Sequence, residues 1–267
     1  NKKLFDSIEP GAGARLQDYI DSAEDTYKLS IKHFLYTNFQ NAKSFIQPEV
    51  LVRLARFLKH LVTPLDTFAG KHVKDARLRK ILDFPAVFLG ASPYDTPSMY
   101  HLMTHVDMNV GAFYPMGGFY TLIEAIERLA KQHGAVVHTN SRVTKIETKN
   151  GKAVGVFAGD VYYPADVVVG NADLHHIETQ LLNPEDQTLP EKWWENKVPG
   201  PSAMLLYLGV KGRVPQLDHH TLLYTEDWGK NFEEVFHKAD GKRKVPNPAS
   251  LYICNPSKTD PNVAPEG

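Results

Sequence analysis

Cysteine is nearly absent. Cys254 is the single one in 267 residues, so no disulfide can close within the chain and no cysteine cluster can hold a metal. That usage fits a reducing compartment, and a cytoplasmic location is expected. Long apolar runs are missing too: none approaches the ~18 residues of a membrane-spanning helix, and the amino end has no signal-peptide core. Neither charge sign is in excess, with 30 basic and 31 acidic side chains and a net charge of −1, so nothing draws the chain toward nucleic acid. No G-x-S-x-G elbow marks a serine hydrolase. No G-x-G-x-x-G follows a strand either: in GAGARL, Leu16 stands where the third glycine belongs. There are no internal repeats and no low-complexity stretches.

What remains is a globular composition, 42% hydrophobic and 23% charged, able to bury a core. The chain opens at Asn1, not Met, and closes on DPNVAPEG, and both ends read as cuts in a longer protein. Three zones follow. Residues 1–112 are helical in pattern. Leu16, Tyr19, Ile20, Ala23, Tyr27, Ile31 and Phe34 recur at spacings of three and four, one buried helical face, with Pro10, Gly11 and Gly13 punctuating its approach. PEVLVRLARFLKHLV begins with Pro48 and Glu49, suited to a first turn, and predicts a second helix with Leu51, Leu54, Ala55, Leu58, Leu61 and Val62 inward. A third is expected near VKDARLRKILDFPAVF, interrupted at Pro85.

Residues 113–172 change character. GGFYTLIEAIERLAKQHG predicts a helix with Leu122, Ile123, Ile126, Leu129 and Ala130 on one stripe and Gly134 as its terminator. AVVHTN then reads as a strand. Asn150-Gly151 between two strand-like runs predicts a type I′ hairpin, whose central residues both need positive φ. VVVG, residues 167–170, reads as a further strand too apolar to face water. Residues 173–267 mix strands (SAMLLYLGV, HTLLYT, SLYIC) with a short helix, GKNFEEVFHKA. The expected fold class is therefore α/β and α+β: part of an α/β nucleotide-binding domain with an inserted β-meander, plus a mixed helical and sheet domain. That reading requires parallel pairing between AVVHTN and VVVG.

The run FYPMGGFYTLIEAIERLAKQHGAVVHTNSRVTKIE resembles the phytoene desaturase family, carotenoid desaturases within the FAD-dependent amine oxidase-like flavoproteins. The likeness extends upstream through FLGASPYDTPSMYHLMTHVDMNVG and downstream through VVVGNADLHHIETQLL, HHTLLYTEDWGKNFEEVF and SLYICNPSKTDPNVAPEG. It implies a discontinuous architecture: residues 1–112 and 173–267 belong to the substrate domain, and 113–172 are a returning piece of the FAD-binding domain. The intact protein would desaturate a long apolar polyene by hydride transfer to FAD, and this stretch by itself is not expected to hold the flavin. Other carotenoid- or retinoid-acting flavoproteins (an isomerase, oxidase or saturase) and a non-catalytic apolar-lipid binding module remain open beside it.

The resemblance also assigns residues. In YPMGG, Gly117 and Gly118 would let the backbone approach the flavin; the other reading is a permissive helix-entry turn. Phe113, Tyr114 and Met116 would meet substrate. The main chain of Val143 would meet the adenine, unless Val143 is simply a strand valine. Asn171 and Ala172 end VVVGNAD, where ligands of open α/β sheets collect, whereas Asp173 is given to the N-cap of LHHIETQLL. No catalytic base stands out. No metal site is expected: Leu102 occupies the position where a zinc-hydrolase helix would need glutamate beside His101, with His105 four residues on, and the adjacent pairs His175-His176 and His219-His220 point apart on any regular element. Finally, residues 51–80 carry eight basic side chains against two acidic ones. Arg53, Arg56 and Lys59 fall together on one helix and could meet an anionic membrane surface; a solvated basic face is the alternative.

Overall fold

The computed structural model describes residues 1–40, 45–197, 200–236 and 244–265. They form two compact units, Asn1–Thr121 with Pro201–Gly267, and Leu122–Gly200. Residues 113–121 of the expected middle zone thus lie with the helical residues, and 173–200 with the hairpin.

In the first unit, α1 (Lys2–Ile8) precedes α2 (Ala12–Ser30), which starts after Gly11 at φ 76°. Gly13 is inside α2 and is not punctuation: its N–H donates to Asp6 Oδ1 at 2.8 Å, tying α2 to α1. Leu16, Tyr19, Ile20 and Ala23 are buried as their spacing predicts, while Ile31 and Phe34 fall in a π-helical turn, Ile31–Leu35. The single helix expected over 48–62 is two, α3 (Pro48–Val52) and α4 (Leu54–Val62), broken at Arg53 with φ −100° and ψ 6°. Its expected inward stripe faces out: Leu51, Leu54, Leu58 and Leu61 are 38–50% exposed, and Val50, Phe57 and His60 are buried instead. The rotation follows from specific partners. Phe57 stacks on Phe34 at 5.3 Å, and His60 Nδ1 bonds Ser98 Oγ at 2.8 Å.

The core gathers Phe5, Leu16, Tyr19 and Ile20 against Ala69 of α5 (Leu65–His72), Val73, and Leu78 and Leu82 of α6 (Ala76–Asp83). Asp75 caps α6, accepting from the Arg77 N–H, and Pro85 opens a new turn, α7 (Pro85–Phe88). After a 3₁₀ turn over Ser98–His101 comes α8 (Leu102–His105).

The second unit opens within α9 (Tyr120–Gln132). Gly134, at φ 87°, ends it, with the Ala135 N–H reaching back to Ala130 O in a Schellman pattern. β1 (Val143–Lys149), β2 (Lys152–Ala158) and β3 (Val161–Pro164) form the expected antiparallel meander. Asn150 and Gly151 both take positive φ, 53° and 71°, as a type I′ turn demands. Asp173 caps α10 (Leu174–His176) through a 3.1 Å bond from the His176 N–H, and α11 (Glu191–Glu195) follows.

Back in the first unit, β4 (His220–Leu223) pairs with β5 (Leu251–Cys254), and α12 (Trp228–Phe236) lies between them in sequence. The end of the expected helix, residues 237–239, lies outside the described residues. Lys80 of α6 donates to the carbonyls of Thr225 and Glu226 at 2.8 and 2.9 Å, fixing the segment that follows β4.

Three expected strands are absent. Residues 135–140, 167–170 and 202–210 carry no strand assignment, and no parallel pairing joins AVVHTN to VVVG among the described residues. A strand exists only where its N–H and C=O groups find a neighbouring ladder, and these segments meet none. They are also uncovered: Met204, Leu205, Leu206, Tyr207 and Leu208 are 68–91% exposed. The stripe of α9 is likewise exposed rather than packed, with Leu122, Ile123, Ile126 and Leu129 all open.

Candidate functional site

YPMGG is a constrained loop of the first unit. The Gly118 N–H closes a turn onto Pro115 O at 3.0 Å, with Gly117 at φ 86° in the position where a type II turn needs a left-handed residue. Gly118 is also left-handed, at φ 90°. No side chain can replace Gly117 freely, because a Cβ there would lie 2.8 Å from Thr121 Cγ2. The loop is anchored from far along the chain: the Gly117 N–H donates to Asp260 Oδ2 at 2.5 Å. Asp260 is fully buried and also accepts from the Asn262 N–H at 3.0 Å. These backbone donors, Asn262 first and Gly117 next, hold its carboxyl below the usual range. Burial, then the neighbouring Asp260 carboxylate, pushes the Tyr114 hydroxyl up.

Beside Tyr114 sits a group from the sheet. The His219 ring meets Tyr114 edge-on at 4.6 Å and His220 at 4.4 Å. His219 Nδ1 bonds Thr259 Oγ1 at 2.5 Å, and His220 Nδ1 bonds the Tyr252 hydroxyl at 2.7 Å. The expected substrate residues Phe113 and Met116 are exposed, as is Phe119, giving the loop an open apolar rim. Tyr114, Gly117 and Gly118 are therefore gathered in one place, with Asp260 and His219 as members the sequence did not place there. TDPN signals only a local cap around Asp260; its bond to a glycine 143 residues earlier has no sequence signature.

The other expected cofactor residues lie in the second unit. Val143 opens β1 opposite Ala158. Asn171 and Ala172 are exposed, in irregular chain just before the Asp173 cap. In the first unit, Arg53 and Arg56 both pair with Asp25 of α2, Arg53 at 3.3 Å, so this carboxylate shares two of the three basic groups expected at a membrane. Lys59 and Arg56 border a cavity of about 210 Å³ whose interior side includes Ser22, His60 and Ser98. His101, which the sequence pairs with His105, is instead buried: its Nδ1 donates to Ser98 O at 2.7 Å and its Nε2 faces Ser22 Oγ at 3.0 Å. His105 packs on Tyr27 at 5.1 Å.

The glycine turn is thus packed by Thr121, Tyr114 and Val263 and bordered by the exposed apolar side chains of Phe113, Met116 and Phe119. The chain belongs to the flavin containing amine oxidoreductase family, which matches residues 47–267. Within that class it is similar to enzymes of carotenoids. A carotenoid 3,4-desaturase of Haloarcula japonica is 33% identical over 264 residues, covering 98% of this chain and 52% of the relative. A zeta-carotene-forming phytoene desaturase of Myxococcus xanthus is 33% identical over 264 residues, 98% of this chain and 49% of the relative. A 4,4'-diaponeurosporene oxygenase of Staphylococcus haemolyticus is 28% identical over 256 residues, 95% of this chain and 49% of the relative. The chain spans about half the length of the curated relatives it matches.

Proposed function

We propose that the protein containing this chain is an FAD-dependent oxidoreductase that desaturates a long apolar polyene of the phytoene type. The observation that carries the reading is the Asp260-anchored glycine turn at 117–118, within a chain of the flavin family. The residues fit such a group: two left-handed glycines present bare backbone, and Phe113, Met116 and Phe119 border it with apolar surface. Gly117 and Gly118 would let the backbone approach the flavin, and in the second unit the main chain of Val143 is proposed to meet the adenine, with Asn171 and Ala172 proposed to lie against the cofactor. A bound flavin supplies a hydride acceptor, so that a C–H hydride and the proton of the adjacent carbon can leave together.

The chain's own contribution is apolar burial and orientation. A hydrocarbon offers nothing to hydrogen-bond, so affinity comes from buried area at ~25 cal/mol per Å², and Phe113, Tyr114 and Met116 are the proposed contacts. The uncovered apolar segments 135–138, 167–170 and 204–208 are read as faces that the rest of the protein's length covers, which is also why this stretch alone would not retain FAD. Binding at a membrane is proposed as well. No helix among the described residues is long and apolar enough to cross one, but the outward leucines of α4, with Arg53, Arg56 and Lys59 on the opposite side, form an amphipathic surface suited to lying on an anionic bilayer.

Expression of the full-length protein tests the main reading. It should purify with a flavin absorbance spectrum and convert phytoene in liposomes to products with a longer conjugated chromophore. Flavin without any polyene conversion would sink the substrate assignment, and absence of flavin would sink the enzyme. The similarity to an oxygenase favours a second reading, in which the product gains oxygen; mass spectrometry of the same products separates the two. For the membrane, co-sedimentation with anionic vesicles should fall several-fold when Leu54, Leu58 and Leu61 become Ser, and also when Arg53, Arg56 and Lys59 do. Unchanged binding in both would remove this surface from consideration.

A further inference from the structure

We propose that His219, His220 and Cys254 form a zinc-binding site at the end of the β4–β5 sheet. Adjacent histidines diverge within a strand, but only His220 belongs to β4. His219 precedes it at a bend, and the two rings meet at 4.4 Å. The antiparallel register places His220 directly opposite Cys254, and directly opposed residues present their side chains on the same face of the sheet. One ring nitrogen of each histidine and Cys254 Sγ all lie within 4.8 Å of one another.

The donor set selects the ion. Two imidazoles and a thiolate suit Zn²⁺, whereas Ca²⁺ and Mg²⁺ take oxygen ligands. The surroundings are those of a ligand pair already oriented: each Nδ1 is held by a hydroxyl, from Thr259 and Tyr252, which is the outer-partner arrangement that fixes a metal-binding imidazole. The remaining nitrogen of His219, Nε2, is buried with no hydrogen-bond partner, a costly state that a metal bond would relieve. Bonds of about 2.0–2.3 Å in a tetrahedral shell put donors about 3.3–3.7 Å apart. The three donors must therefore draw together by roughly 1 Å, which the exposed side chains of His220 and Cys254 can supply by rotation. Three protein ligands leave a fourth position for water. The ion would clamp a two-stranded sheet of a kind that is marginal alone, and His219 would bring the clamp into contact with Tyr114.

The test uses the full-length protein, stripped with chelator, given one equivalent of ZnCl₂ and desalted, with retained metal counted by mass spectrometry and its shell read by X-ray absorption. The expected result is about one zinc per chain with a single sulfur scatterer at about 2.3 Å. Cys254→Ser, at an exposed position, should lose that sulfur shell and weaken zinc affinity at least tenfold, and His220→Asn should weaken it comparably. Retention below a tenth of an equivalent in the wild type, or a zinc shell unchanged by Cys254→Ser, overturns the site. The readout needs no flavin and no turnover, so it stands independently of the proposed reaction.

Discussion

At Gly13 the first turn of α2 has no room for a side chain. A Cβ would lie 2.4 Å from Asp6 Oδ2 and 2.8 Å from the Lys2 carbonyl, and the second contact is backbone that cannot rotate away. Gly13→Ala should therefore cost about 1–3 kcal/mol, the usual range for overpacking, and raise hydrogen exchange in α1. Unaltered α1 protection would mean that this packing is not what holds it. Asp260 works in the opposite sense, as a carboxylate that a distant loop needs. In Asp260→Ala the Gly117 N–H loses its acceptor, and because Gly117 is exposed the loss is that of one charge-assisted hydrogen bond, about 1.5–3 kcal/mol. Flavin affinity of the full-length protein should fall about tenfold, with Asp260→Asn, which keeps an acceptor, intermediate. Equal affinities for all three would detach the turn from the cofactor.

Among the elements, the β1–β2 hairpin shows where local chemistry suffices. Asn150-Gly151 supplies the two positive-φ residues that let β1 turn back into β2, and Thr148 of β1 adds a tie to Asp186 at 2.6 Å. Gly151→Val would force a β-branched residue to φ near 71°, at a cost of about 1–2 kcal/mol. Exchange across β1 and β2 should rise while that of α2 stays put. α4 shows the contrary case. Its leucines recur at helical spacing, yet Phe57 and His60 take the inward positions because Phe34 and Ser98 are there to receive them. Periodicity identified the helix and not which face is buried.

For the molecule as a whole, His101, His60 and Asp83, all buried in the first unit, contribute opposing pH dependences. Burial holds His101 down to about 4, with the His60 ring adding to it; burial, then Arg56 and Lys59, holds His60 down to about 4. Burial, then the Asp66 carboxylate, pushes Asp83 up to about 8. Between roughly pH 4 and 6.5 the unfolded chain binds two more protons at these histidines and one fewer at Asp83, so these three groups make stability rise with pH at about 1.4 kcal/mol per unit, and His72, also held down by burial, adds to the rise. Above about 6.5 both states carry neutral histidines, and only Asp83 retains a proton that the unfolded chain has lost. Stability should then decline at a similar slope toward pH 8. Exchange protection of α2 and α6 should peak near pH 6.5 once corrected for intrinsic rates, and Asp83→Asn should abolish the decline on the alkaline side. A flat profile would mean that these groups stay solvated.

The sequence by itself determined the buried face of α2, the cap at Asp173, the terminator Gly134, the meander and its turn, and the family, because each is written in neighbouring residues or in their order. Tertiary structure alone decided which face of α4 is buried, the partnership of Asp260 with Gly117, the meeting of His219 with Tyr114, and the failure of 135–140, 167–170 and 202–210 to become strands. Those outcomes depend on groups far away along the chain. A strand in particular is a property of a pair: apolar β-branched residues such as Val136, Val137 and Val167 favour extended backbone, but only a neighbour's hydrogen bonds convert it into sheet.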